Sequence, residues 1–145
     1  MAKLRHIALS VPDPVKAAEF YEKAFGMKRV GEAHVSIGHG VYLSDGTVNL
    51  ALLRYTDDEA AGVERGKDWF GLHHFGFWVD DAATARKQVE DAGGTWFMGE
   101  PPTGDDDSFY EMKFRDPNGN IFDITHNGWS GARKDGPADE ESPGD

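Results

Sequence analysis

Two histidines stand at equivalent positions of a repeated segment. Residues 4–26 have the sequence LRHIALSVPDPVKAAEFYEKAFG, and residues 72–94 repeat its pattern as LHHFGFWVDDAATARKQVEDAGG, so that His6 corresponds to His74 at an offset of 68 positions. A pseudo-twofold axis between two copies of one unit can bring equivalent side chains to a single point. Imidazole nitrogens are common ligands for divalent metals. The repeat therefore predicts two imidazoles that can share a metal ion.

Each copy has the pattern of a strand followed by a helix. Alternation places Ile7 and Leu9 on an apolar face of the first strand and His6 on the opposite, open face. In the helices that follow, Asp13 and Asp81 have the residue type and the position of N-caps. We expect the apolar face of each strand to pack beneath its own helix, which leaves both histidines on the other face.

Three short strand-like segments follow each helix. They are predicted at residues 28–37, 41–43 and 47–54 in the first half, and at residues 95–98, 109–114 and 120–126 in the second. Each half is therefore a β-α-β-β-β module. The first module is expected at residues 4–54 and the second at residues 72–126.

The composition excludes several classes of protein. The chain has 145 residues, a net charge of −11 and no cysteine, so we expect no disulfide framework, no thiolate metal site and no nucleic-acid partner. The length suits one domain of residues 1–130, followed by an acidic, disordered tail at residues 131–145. No signal peptide or membrane-spanning run is predicted, and we expect a cytoplasmic protein without a membrane partner.

A turn and a carboxylate complete a pattern that is shared with a known family. The turn DPNG at residues 116–119 is followed four positions later by Asp123. Together with the paired modules and their early histidines, it resembles the vicinal oxygen chelate superfamily of glyoxalases, bleomycin-resistance proteins and extradiol dioxygenases, over residues 4–126. The resemblance implies an α+β fold in which two β-α-β-β-β modules form a half-open, mixed-sheet barrel. It also implies that His6, His74 and Asp123 bind a divalent metal inside the barrel.

The pattern of the last strand agrees with this role for Asp123. Alternation puts Asp123 on one face with Ile121 and Thr125, and puts Phe122 and Ile124 on the other. A carboxylate between apolar neighbours on an inner strand is costly unless it is paired or coordinates a cation. We therefore expect Asp123 to face the interior of the barrel.

The resemblance departs from the family pattern at the last strand of the first module. Residues 47–53, TVNLALL, contain no His, Asp or Glu, and Asn49 stands where a fourth ligand is expected. The remaining set resembles the two-histidine, one-carboxylate triad of ring-cleaving dioxygenases, for which Fe(II) is favoured and Mn, Zn, Ni or Co also fit. We predict a substrate pocket that contains Asn49 and the aromatic side chains of Tyr42, Trp78 and Tyr110.

Other residues are alternatives for these roles. His73 is expected to face away from the barrel interior, but it becomes the ligand if His74 is structural. His126 is a reserve ligand at the end of the last strand, and Glu111 is the next carboxylate to test if Asp123 is not a ligand. No residue is assigned as a general acid or base.

The resemblance leaves three functional hypotheses. The first is an extradiol-type dioxygenase that acts on a small substrate which chelates the metal through adjacent oxygens. The alternatives are a glyoxalase-type lyase or isomerase, and a metal-free protein that sequesters a ligand as bleomycin-resistance proteins do. Members of the superfamily usually dimerise, so we also expect a homodimer.

Overall fold

The computed structural model describes residues 1–135. The strands are β1 Lys3–Ser10, β2 Lys28–Val35, β3 Gly38–Ser44, β4 Asn49–Tyr55, β5 Gly71–Trp78, β6 Thr95–Met98, β7 Met112–Arg115 and β8 Ile121–Thr125. The helices are α1 Pro14–Phe25, α2 Asp58–Ala61 and α3 Ala82–Asp91. Helix α2 lies in the connector between the modules, where no element was predicted. The remaining elements have the order that the repeat predicts.

The two longer helices begin at the predicted N-caps. The carboxylate of Asp13 accepts hydrogen bonds from the backbone N–H groups of Val15 and Lys16, both at 3.1 Å, and Pro14 occupies the first helical position. Asp81 accepts a hydrogen bond from the backbone of Thr84 at 2.9 Å. These contacts satisfy N–H groups that have no partner within the helix. The caps therefore fix where each helix leaves its strand.

The eight strands form one mixed sheet that reproduces the sequence repeat. The strand order is β2-β3-β4-β1-β5-β8-β7-β6, so each module contributes four neighbouring strands and the modules meet at the antiparallel pair β1–β5. Strand β4 runs parallel to β1, and β8 runs parallel to β5. The sheet is curved but not closed, which confirms the predicted α+β, half-open architecture. The strands that carry His6 and His74 therefore lie at its centre.

Each module buries its apolar residues between its own strands and its own helix. In the first module Ala18 of α1 packs with Val41, Leu43 and Leu52, and Leu9 and Val11 lie against this cluster. A second cluster joins α3 to β5, β7 and β8, and contains Ala85, Met112, Phe114, Phe122 and Ile124. Because both cores lie on the outer face of the sheet, the inner face is free to carry polar groups.

A β-bulge changes the direction of one side chain on β5. Ala8 pairs with His74 and Leu9 pairs with Leu72, so His73 has no partner on β1. An extra residue of this kind redirects a side chain that alternation would place on the opposite face. The prediction that His73 faces away from the barrel interior is wrong for this reason, because His73 lines the same cavity as His74.

Part of the predicted tail is packed against the domain. The backbone N–H of Arg133 donates a hydrogen bond to the carbonyl of Thr47 at 3.0 Å, and Arg5 donates to the carbonyl of Arg133 at 2.6 Å. The rest of that tail, residues 136–145, lies outside the described residues. None of the helices in residues 1–135 is long and apolar enough to cross a membrane.

Candidate metal centre

The structure brings His6, His74 and Asp123 together at the centre of the inner face. The Nε2 atom of His74 lies 3.3 Å from Nε2 of His6 and 3.2 Å from Oδ2 of Asp123, and the third separation, from His6 to Asp123, is 3.9 Å. All three residues are buried, and Asp123 has no exposed surface. Strand register explains the convergence, because Gly76 of β5 pairs with His6 on one side and with Asp123 on the other.

The hydrogen bond behind His6 fixes the position of its ring hydrogen. Nδ1 of His6 lies 2.8 Å from Oδ1 of Asn49, and the amide nitrogen of Asn49 donates to the carbonyl of Ser130 at 2.9 Å. Because this second bond requires the amide nitrogen, the oxygen of Asn49 faces the imidazole and can only accept. His6 therefore carries its hydrogen on Nδ1 and presents a lone pair on Nε2.

His73 determines which ring nitrogen of His74 carries the hydrogen, as Asn49 does for His6. Nε2 of His73 donates to the carbonyl of Ala61 at 2.6 Å, so the Nδ1 atom of neutral His73 is an acceptor. Nδ1 of His74 lies 2.9 Å from that atom and must be the donor. His74 consequently presents the lone pair of its Nε2 atom towards His6 and Asp123. Partners that hold the far nitrogen in this way are typical of histidines that bind metals.

The lone pairs of three atoms therefore face the same small volume: Nε2 of His6, Nε2 of His74 and Oδ2 of Asp123. None of these atoms carries a hydrogen. Oδ1 of Asp123 accepts from Nζ of Lys113 at 3.0 Å, but the buried Oδ2 atom has no hydrogen-bond partner in the part of the chain described. Such a group is costly unless a cation or a proton occupies the space. Two imidazole nitrogens and one carboxylate oxygen suit Mn, Fe, Co, Ni or Zn. The residues therefore fit a divalent metal.

Charged neighbours adjust the electrostatics of this centre. Burial would raise the pKa of Asp123, but the positive charges of His74, when it is protonated, and of Lys113 outweigh it and hold that pKa below its ordinary value. Burial and, after it, the neighbouring His74 lower the pKa of His6 from 6.5 to about 4. Glu111 shows the opposite change, since burial and the charge of Asp123 raise its pKa. At neutral pH the centre combines an ionised Asp123 with a neutral His6.

The centre lies in a cavity of about 1100 Å³. Tyr42 and Asn49 line this cavity as predicted, although Asn49 also acts behind His6. Its mouth carries exposed apolar side chains from both modules, namely Val35, Ile37, Met98 and Phe109. A cavity of this size, apolar at the mouth and polar at the base, is suited to a small organic ligand.

Two predicted pocket residues lie elsewhere. Tyr110, just before β7, is buried with Met112 in the core beneath α3, and its hydroxyl pairs with His126. Trp78 donates a hydrogen bond from its indole to the carbonyl of His126 at 3.0 Å and covers the backbone of Gly128. The predictions for Tyr110 and Trp78 are wrong. The reserve ligand His126 does not join the group of His6, His74 and Asp123.

One aromatic residue at the centre was not predicted. The indole of Trp129 stacks on the imidazole of His6, with ring centroids 4.8 Å apart, and donates a hydrogen bond to Oε2 of Glu111 at 2.8 Å. Gly76 makes room for it, because a Cβ atom at that position would lie 2.8 Å from the indole. The glycine on the inward face of β5 was the sequence feature that could have indicated this close approach.

The fold and the centre together define a class of protein. Two β-α-β-β-β modules in one chain enclose paired imidazoles and a carboxylate at the base of an open cavity. Residues 3–124 match the Glyoxalase/Bleomycin resistance protein/Dioxygenase superfamily. The chain belongs to this superfamily, which confirms the resemblance identified from its sequence.

The similar proteins include several epimerases. The chain is 33% identical over 90 residues to human mitochondrial methylmalonyl-CoA epimerase, a match that covers 59% of this chain and 51% of that protein. It is 29% identical over 110 residues to ethylmalonyl-CoA/methylmalonyl-CoA epimerase of Cereibacter sphaeroides, covering 72% and 81% respectively. The chain thus spans about half the length of the human relative. A Streptomyces coelicolor methylmalonyl-CoA epimerase in complex with 2-nitronate-propionyl-CoA has the same fold, with a TM-score of 0.68, 21% identity, and coverage of 84% of this chain and 94% of that one.

These similarities correct the first functional hypothesis. The prediction of an extradiol-type dioxygenase is wrong, because both curated relatives are epimerases, which are isomerases. They support the alternative of a glyoxalase-type isomerase. The three ligands determine which cations can bind, but they do not by themselves determine the reaction.

Removing the acceptor behind His6 should weaken metal binding. In Asn49→Ala the Nδ1–H group of His6 loses its partner, and the ring no longer has to present Nε2 as a lone pair. We expect affinity for Mn(II) or Zn(II) to fall by about 10- to 100-fold, measured by titration of the metal-free protein. The exposed Asn118 provides the control Asn118→Ala. Equal affinity in the two variants would show that Asn49 does not orient His6.

Filling the space at Gly76 should disturb both the centre and the fold. The methyl group of Gly76→Ala would lie 2.8 Å from the Trp129 ring and 3.1 Å from Cβ of His6. We expect a loss of about 1–3 kcal/mol in the free energy of unfolding together with weaker metal binding. Gly31→Ala is the matched control, because its Cβ would meet Tyr42 at an ordinary 3.4 Å. An unchanged unfolding curve for Gly76→Ala would contradict the tight packing.

The metal-free protein should lose stability as the pH falls from 6.5 towards 4. Burial lowers the pKa values of His6 and His73 from 6.5 to about 4. In this interval the unfolded chain binds protons that the folded chain excludes, so stability decreases as the pH decreases. Urea unfolding in the presence of a chelator measures the change. His6→Gln should show a shallower pH dependence than the wild type, and parallel curves would contradict the assignment to His6.

Proposed function

We propose that this chain is a metal-dependent isomerase that inverts a carbon atom next to a carbonyl group in a small acyl thioester. The observation that carries the proposal is the convergence of three ligand atoms, from His6, His74 and Asp123, beside a carboxylate that can transfer a proton. The names of the two curated relatives support this reaction class and a malonyl-type CoA ester as the substrate.

A divalent cation held by the three ligands would stabilise negative charge on the oxygens of a chelating substrate. The buried environment strengthens such an interaction, because water is excluded from the base of the cavity. Asp123 contributes one oxygen to this site, and Lys113 holds its other oxygen in place at 3.0 Å. The lysine therefore keeps the free oxygen directed towards the imidazoles.

Glu111 is the group that we propose moves the proton. Its Oε2 atom lies 3.8 Å from Nε2 of His6, and its side chain is 23% exposed, so it faces both the centre and the cavity. Burial and the charge of Asp123 raise its pKa, which increases its strength as a base. Trp129 donates a hydrogen bond to the same oxygen and fixes its position. Glu111 can thus take a proton from the carbon next to the carbonyl, and the C–H electron pair moves onto the carbonyl oxygen. When the planar carbon presents its opposite face to the same carboxyl group, Glu111 returns a proton and the configuration is inverted.

The reaction also depends on keeping water away from the carbanionic form of the substrate. The exposed apolar groups Val35 and Ile37 of one module and Met98 and Phe109 of the other surround the mouth of the cavity. They can cover the acyl portion of a bound thioester while its carbonyl oxygen reaches the ligands below.

The native metal, the homodimer and the cytoplasmic location remain predictions.

Solvent hydrogen exchange tests the proposed reaction. The protein loaded with Mn(II), Co(II) or Zn(II) should incorporate deuterium from D2O at the α-carbon of methylmalonyl-CoA, detected by NMR. Glu111→Gln should slow this exchange by about 100-fold or more and leave the metal content unchanged, because Glu111 is not one of the three ligands. The surface variant Glu19→Gln, on α1, should behave as the wild type.

Two outcomes would contradict the proposal. The absence of both exchange and inversion at the α-carbon with all three metals would contradict the isomerase. If the wild type binds no more metal than Asp123→Ala does, the triad is not a metal site, and a ligand-sequestering protein is favoured.

A further inference from the structure

A second group of ligand atoms lies on the β2–β3 hairpin. Oε2 of Glu32 is 3.0 Å from Nε2 of His34 and 3.1 Å from Nε2 of His39. Glu32 and His34 are two residues apart on β2 and therefore share a face, and His39 is the direct partner of His34 on β3. Strand register alone accounts for the meeting of the three side chains.

This group is separate from the centre inside the barrel. Glu32 pairs with Val41, which belongs to the core beneath α1, so its side chain lies on the outer face of the sheet. Tyr42, the next residue on β3, lines the cavity on the inner face. The sheet therefore stands between Glu32 and the inner centre, and His39 also borders the cavity at its mouth.

The geometry suits a small divalent cation. Zinc bonds of about 2.0–2.1 Å in a tetrahedral site place the ligand atoms about 3.3 Å apart, close to the two measured separations. The imidazoles are stacked with centroids 3.9 Å apart and planes 12° from parallel, and both direct Nε2 to the same oxygen. Because one ion cannot lie in the planes of two stacked rings, binding requires that the exposed His34 ring rotates and that each neutral imidazole moves its hydrogen from Nε2 to Nδ1. The side chains of His34 and Glu32 are 70% and 38% exposed, which leaves access for a cation and a water ligand.

No lysine or arginine forms an ion pair with this carboxylate in residues 1–135. In the described residues, Glu32 forms ion pairs only with the two histidines, and the guanidinium of Arg29 on the same strand is engaged by Glu22 at 2.8 Å. The nearby Arg54 is directed to Asp68 and to the carbonyl of Lys67. The charge of Glu32 is therefore available to a cation.

We propose that Glu32, His34 and His39 form a zinc site that holds the mouth of the cavity. The pair His34–His39 is adjacent to the pair Val35–Gly38, which closes the hairpin. Residues 35–38 line the cavity mouth. A cation that links β2 to β3 at this position restrains the two arms of the hairpin and reduces the motion of the mouth. The site is independent of the proposed isomerase centre.

Zinc titration of the full chain, purified without affinity-tag nickel, tests the site. The variant Asp123→Ala removes the inner centre, and we expect it to bind about one equivalent of zinc. In that background, the double substitution His34→Gln and His39→Gln should abolish binding, because glutamine keeps a donor for Glu32 but lacks the imidazole nitrogen. Zinc uptake that survives the double substitution, or no uptake in Asp123→Ala, would overturn the proposal.

Hydrogen exchange distinguishes a restraining site from simple adsorption. Zinc should slow the exchange of the backbone amides of residues 35–38 in Asp123→Ala but not in the variant that also carries the two glutamines. Unchanged exchange in the presence of bound zinc would overturn the restraint of the mouth. In wild type with the inner centre intact, loss of the outer site should leave one equivalent bound, so failure of either site is recognised separately.

Discussion

The arrangement depends on three lone pairs that are forced together at the middle of a sheet. Register places His6 and Asp123 on opposite sides of Gly76, and the hydrogen bonds that the two imidazoles donate to Asn49 and His73 prevent either ring from turning a hydrogen inward. Folding therefore concentrates three lone pairs in one place, and Lys113 neutralises Asp123 only through its other oxygen. The two outer cores provide stability that offsets this cost, because both hydrophobic clusters lie on the faces that are turned towards α1 and α3.

Much of the architecture could be predicted because it follows from local rules repeated twice. The strand alternation, the aspartate caps and the duplicated pattern determine which face meets a helix, and the structure confirms that choice in both modules. The short helix α2 has no counterpart in the repeat, and its four residues carry no apolar periodicity that could indicate it. The bulge at His73 was equally hidden, since it arises from the pairing of β5 with β1 rather than from the sequence of β5.

The site was predictable where a residue lies within a regular strand and not where tertiary packing decides. His6, His74 and Asp123 meet as expected from their positions, whereas Trp129 enters from beyond the last strand and Tyr110 follows Met112 into the core. The reaction was the property that the sequence predicted least well. The ligand triad is compatible with several chemistries, and the dioxygenase hypothesis followed from ligand count alone. Neighbouring groups such as Glu111, whose position depends on the folded sheet, are what separate these chemistries.

The carbonyl of Ala61 gives the second imidazole a support that the first does not have. His6 is oriented by an amide within its own module, but His74 is oriented through His73 by the segment that joins the modules. The two halves of the duplication are therefore not interchangeable parts. A second half without this segment would lose the backbone group that determines the tautomer of its histidine, so the linker is a structural component of the candidate metal centre.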